Sequence, residues 1–169
     1  MKPFEQIVKE HGPTVLRVCR ALLKPADAED AWSETFIAAL AAYPRLRAGS
    51  NVRGWLVTIA HRKAIDQMRA ARRGPIPVAY LPEVPAAVIP PRAGSEDLAA
   101  ALRALPPRQR EAVTYHYVAG LAYKDIAALT GSNAGAVRRA AADGIAALRR
   151  VFAAGGRRRV SKPMKGAAR

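Results

Sequence analysis

Leu121-Ala122-Tyr123-Lys124-Asp125-Ile126-Ala127-Ala128-Leu129 is followed by Thr130-Gly131-Ser132 and then by Asn133-Ala134-Gly135-Ala136-Val137-Arg138-Arg139. A short amphipathic run, a glycine-containing turn and a second run with Val137, Ile145 and Leu148 turned inward have the pattern of a helix-turn-helix. In that motif the second helix presents its N-terminal residues to the major groove of DNA. The spacing therefore offers Ser132, Asn133, Ala134 and Gly135, with Arg138 and Arg139 one turn on. An arginine there can pair with guanine and an asparagine with adenine. Spacing does not decide which of them holds a base and which a phosphate.

Working outward, a short helix is expected from Ser95 to near Leu105, with Glu96 and Asp97 in its first turn. Pro106-Pro107 opens another, Arg108 to about Ala119, closed by Gly120. Residues 74–94 are proline-rich with little periodicity and read as a linker. Taken as 74–97, the spacer carries six prolines; in polyproline geometry 24 residues reach at most roughly 75 Å, enough for the flanking blocks to touch DNA at separated sites.

The N-terminal block, residues 1–73, also reads as helices. Phe4, Ile7, Val8, Val15, Leu16, Val18, Cys19, Leu22 and Leu23 recur near a 3.6 period, with Gly12-Pro13 as a break or kink and Pro25 closing the run. Asp27 followed by Asp30 has the look of a cap opening a second helix, whose apolar stripe is Ala31, Trp32, Thr35, Phe36, Ala39 and Leu40. A third is expected from about Asn51 to Arg73, stopped by Gly74-Pro75, with Trp55 in the core. Cys19 sits in the apolar register and reads as packing. His61 has no nucleophile or ligand partner at a useful spacing and reads as a surface residue of this helix.

Charge separates these pieces. The chain of 169 residues carries a net +15, distributed as −1 over 1–44, +7 over 45–73, −2 over 74–97, +5 over 98–150 and +6 over 151–169. Two basic helical blocks and a basic, disordered tail at 154–169 suggest a polyanionic partner. The acids of the second helix, Asp27, Glu29, Asp30 and Glu34, suit its dipole but also form the one acidic face of a basic protein. That face fits a basic protein partner better than nucleic acid. No apolar stretch is long enough to insert in a membrane. A single cysteine rules out a disulfide within the chain. No carboxylate pair with a base and no metal-ligand constellation stands out, so no catalytic residue, cofactor or small-molecule substrate is expected. Residues 1–10 carry acids and no secretory h-region, so a cytoplasmic location is expected.

The two blocks in this order resemble the extracytoplasmic-function group of bacterial RNA polymerase sigma factors. Asp27-Ala28-Glu29-Asp30 and Glu34-Thr35-Phe36 look like that family's region 2.2. Asn51-Val52-Arg53-Gly54-Trp55-Leu56, Ile59-Ala60-His61-Arg62 and Ile65-Asp66 to Arg69 look like regions 2.3 and 2.4. Leu105 to Glu111, Gly120 to Tyr123, Ile126-Ala127 and Gly135 to Arg138 look like region 4. The resemblance implies an all-α protein of two small helical domains, 1–73 and 95–153. Asp27, Asp30, Ser33 and Glu34 would dock on the clamp helices of the polymerase β′ subunit. Arg47, Ser50, Asn51, Arg53, Arg62 and Arg69 would engage the −10 promoter element. Tyr123, Lys124, Ser132, Asn133, Ala134, Gly135, Arg138 and Arg139 would serve the −35 element, the same domain also meeting the β flap. An anti-sigma factor is implied as regulator.

Two departures stand out. Ser33 occupies a position where many relatives carry glutamine, and Ala140, Asp143, Gly144 and Ile145 lie where relatives carry further arginines. A stand-alone helix-turn-helix regulator is the main rival, but it would need a dimerisation or ligand domain. A basic RNA-binding or nucleoid protein would bind without regard to sequence.

Overall fold

The computed structural model describes residues 1–73 and 95–160, and its regular elements there are all helical. In the first block α1 spans Phe4–Leu22, α2 Pro25–Ala42 and α3 Val52–Arg72, with a 3-10 turn at Tyr43–Arg45. The second block comprises α4 Ser95–Arg103, α5 Pro107–Val113, a π-helical turn Thr114–Val118, α6 Tyr123–Thr130 and α7 Ala134–Val160. The linker at 74–94 and the Gly74-Pro75 stop lie outside the described residues.

The expected break at Gly12-Pro13 does not occur, and Pro13 sits inside α1. Proline forfeits a backbone donor, but the turns on either side are held by burial of Ile7, Val15, Val18 and Cys19. The Trp32 indole N–H donates to the Gly12 carbonyl at 3.0 Å, pinning the helix at that point from α2. Asp27 does not cap α2 either. Lys24 is the N-cap, Pro25 takes the first helical position and Asp27 lies in the first turn. Proline's fixed φ suits that position, where its missing N–H costs nothing, so Pro25 opens the second helix as well as ending the first.

Ala28, Ala31, Thr35, Phe36 and Ala39 of α2 and Leu56, Val57, Ala60 and Ala64 of α3 close on α1. Burial pushes the Cys19 thiol up to about 12, which suits a packing role. Leu40 was expected inward and is instead 56% exposed, beside Ile37 at 71%.

The core continues across the block boundary. Tyr115, Leu121, Ile126 and Val137 belong to the same buried cluster as Val15, Cys19 and Leu56, while Ala21 joins a smaller one with Leu102, Leu105, Val113 and Leu148. Arg103 donates to the Arg20 carbonyl at 2.7 Å. The blocks therefore pack directly on one another rather than standing apart at the ends of a spacer. His61, read as a surface residue, is 6% exposed, and its Nδ1 lies 2.5 Å from the Tyr115 hydroxyl. Its side of α3 is covered by the second block, a contact that helical periodicity cannot reveal.

The helix expected to run to Ala119 leaves α geometry after Val113, and the Ala119 N–H bonds Thr114 O at 3.0 Å, a five-residue step. Gly120 and Gly131 end their elements at φ +73° and +68°, left-handed conformations that favour glycine. Gly144 accounts for one of the departures in α7. A Cβ there would stand 2.6 Å from Val113 Cγ2, so this buried position is taken up by the close crossing of α5 and α7 and has no room for an arginine. Beyond it α7 remains helical to Val160, into the segment expected to be a disordered tail.

Candidate nucleic-acid interface

The turn Gly131-Ser132 joins α6 to α7. Asn133 caps α7, its Oδ1 accepting the Ala136 N–H at 2.9 Å. One lone pair of that oxygen is thus committed to the helix, while the other and the amide N–H groups remain for a ligand. Gly135, Arg138, Arg139 and Lys124 are exposed, whereas Ser132, Ala134 and Tyr123 are half-buried. The Arg138 guanidinium lies over the Tyr123 ring, 5.3 Å from its centroid.

The residues assigned to −10 binding fall in two places. Arg47, Ser50, Asn51 and Arg53 line one groove together with Lys2 and His11. Asn51 is again a cap, its Oδ1 accepting the Gly54 N–H at 3.0 Å. Arg62 and Arg69, two turns apart on α3, line a separate cleft closed on its other side by Asp125, Ala128 and Leu129 of α6. Arg53 also reaches the second block, with Nη1 3.1 Å from where a Cβ on Gly120 would lie.

Asp30, Ser33 and Glu34 are exposed on the outer side of α2, and Asp27 is half-buried. Ile37 and Leu40 continue the same face at helical spacing. Sequence reasoning missed them as surface groups, although Ile37 stands three residues after Glu34 and outside the core stripe. Glu34 approaches Lys63 at only 3.9 Å and Glu29 approaches Arg20 at 3.7 Å, long pairs between partly exposed groups that contribute little.

Burial lowers the imidazoles of His11 and His61 below the ordinary value of 6.5; Arg62 adds to the effect at His61, while Glu10 opposes it at His11. Burial also keeps the Tyr115 hydroxyl protonated, so it donates to the neutral His61 ring. As pH falls through 6.5, the unfolded chain takes up protons on these two histidines before the folded chain does. Their contribution to stability is therefore whole above 6.5 and is lost progressively toward the lower folded values. Urea midpoints should fall between pH 7.5 and 5, and the His61→Gln chain should lose less over that interval than the wild type. An equal loss in both would remove His61 from the account.

A helix-turn-helix packed on a second basic helical block defines a DNA-binding protein, whose α2 also exposes an acidic and apolar outer face. Residues 7–74 match sigma-70 region 2, and residues 95–148 match sigma-70 region 4. The chain belongs to the sigma-70 family, in its extracytoplasmic-function (ECF) group of RNA polymerase sigma factors. It is 36% identical to ECF RNA polymerase sigma factor SigE of Mycolicibacterium smegmatis over 82% of its length, spanning 57% of that relative. It is 32% identical to ECF RNA polymerase sigma factor SigC of Mycobacterium tuberculosis, with 81% of this chain and 76% of that one covered. RNA polymerase sigma factor CarQ of Myxococcus xanthus is 32% identical, with 88% of each covered. Among solved structures, the sigma factor RpoE bound to the anti-sigma factor NepR from Bartonella quintana superposes with a TM-score of 0.70 at 27% identity, covering 90% of this chain and 98% of that one. CnrH in complex with the cytosolic domain of CnrY shares the fold, with a TM-score of 0.63 at 24% identity and coverage of 89% and 88%. Among the described residues no helix is long and apolar enough to cross a membrane.

Proposed function

We propose that this sigma factor directs core RNA polymerase in the cytoplasm to promoters carrying −10 and −35 elements, the chemistry of RNA synthesis staying with the core enzyme. The observation that carries this reading is the pairing, on one chain, of a helix-turn-helix with Arg138 and Arg139 turned outward and an α2 face suited to protein. Asp27, Asp30, Ser33 and Glu34, joined by Ile37 and Leu40, dock on the β′ clamp helices. Arg47, Ser50, Asn51, Arg53, Arg62 and Arg69 engage the −10 element. Tyr123, Lys124 and the start of α7 serve the −35 element, and the same domain meets the β flap. On this reading 1–73 and 95–153 work as separate domains on the promoter, joined by the 74–94 linker.

Arg62 and Arg69 are exposed but face α6 across one cleft, which adds a requirement. Part of the −10 surface faces the second block, so the two blocks separate when promoter and core are engaged. An anti-sigma factor that binds the packed form would hold the chain out of transcription. The RpoE relative, solved in complex with an anti-sigma factor, supports the existence of a regulator of that class.

Run-off transcription with purified core enzyme tests the reading. Addition of the chain should produce transcripts with defined starts from a subset of genomic promoters. Tight, specific DNA binding by the chain alone, with no effect on core, would favour a stand-alone regulator instead.

A further inference from the structure

Arg138 is exposed and carries a long side chain, yet reading a base edge requires its planar fork to be held in one orientation. The means of holding it is visible beside the helix-turn-helix. The rings of His116 and Tyr123 stack with centroids 4.0 Å apart and planes 16° from parallel. The Arg138 guanidinium carbon also stands over the Tyr123 ring, 5.3 Å from the centroid. The inner end of this column is fixed. His116 Nδ1–H donates to the Leu121 carbonyl at 2.8 Å, and the Tyr117 ring stands edge-on against the imidazole at 4.8 Å and 88°. His116 comes from the π-helical turn, Tyr123 from the start of α6 and Arg138 from α7, so three elements converge on one stack.

We infer that His116 is a positioning residue for promoter recognition, holding Tyr123 so that Arg138 reads a single base pair instead of gripping phosphate. A guanidinium laid on an aromatic face keeps its N–H edge free for a bidentate acceptor, and cation–π attraction holds the plane. A phosphate contact needs only charge within reach and tolerates a mobile side chain. The inference rests on the sigma-factor reading given above.

The test uses core enzyme with the full chain on a promoter recovered from its own transcripts, varied one base pair at a time through the upstream element. Arg138→Ala should lower discrimination about tenfold at one base pair, the scale of a lost bidentate contact. His116→Ala should lower it at that same base pair and add nothing in the Arg138→Ala background. His116→Phe keeps an aromatic ring in the stack and should retain discrimination within about twofold. In the chain alone, Arg138 side-chain protons should show an upfield ring-current shift in NMR spectra, lost in His116→Ala and kept in His116→Phe. Uniform weakening across all promoter variants by His116→Ala, additive losses in the double variant, or failure of His116→Phe to rescue would each overturn the inference while leaving the sigma-factor reading in place. A wild-type chain that directs no specific initiation would overturn both.

Discussion

Tyr115→Ala should lower the unfolding free energy by about 3–5 kcal/mol, the range for truncating a large buried aromatic side chain. Tyr115 is completely buried and sits where the second block meets the first, among residues contributed by both. Its removal opens a cavity and leaves the buried His61 Nδ1 without its hydroxyl partner. Tyr115→Phe separates the two effects. It keeps the ring and should cost about 1–3 kcal/mol, the penalty for a buried polar group left unpaired. Urea unfolding followed by tryptophan fluorescence reports on the first block, because Trp32 and Trp55 both lie there. A shift in that signal caused by a substitution in the second block would be direct evidence of the shared core. An unchanged midpoint for both variants would mean that the blocks do not pack together in solution.

Ile37→Asp should weaken binding to core polymerase by at least about tenfold, as expected for an apolar anchor at the centre of a protein interface. The same change should leave thermal stability almost untouched, since the side chain is 71% exposed and surface substitutions of this kind move stability by only about 0.5 kcal/mol. Glu34→Lys acts on the neighbouring turn of the same face and should slow association more than it speeds dissociation. Fluorescence anisotropy of labelled chain titrated with core enzyme measures both. Wild-type affinity in Ile37→Asp and Glu34→Lys together would reject the outer face of α2 as the docking surface.

Much of this architecture can be read along the chain. Gly131 between two amphipathic runs marks the helix-turn-helix, because a left-handed residue that ends a helix is most readily glycine. The alternation of acidic, basic and proline-rich segments separates the blocks and singles out α2. Local rules misplaced the details where two of them competed. Pro13 and Pro25 are the same residue type, yet one is carried inside a helix by packing on both sides while the other begins one. Leu40 keeps the period of the α2 apolar stripe yet is exposed, since period alone does not say where the neighbouring helices stop.

The sequence by itself determined the helical class, the helix-turn-helix, the acidic face and the family resemblance. Each depends on short-range periodicity, turn chemistry or charge, which are properties of neighbouring residues. Tertiary structure alone decided that His61 is buried against Tyr115 and that the two blocks share a core. It also decided that Gly144 is needed for the crossing of α5 and α7, and that Arg138 rests on a stacked pair of rings. These are contacts between side chains distant in sequence, and they exist only once several helices have been fixed in space.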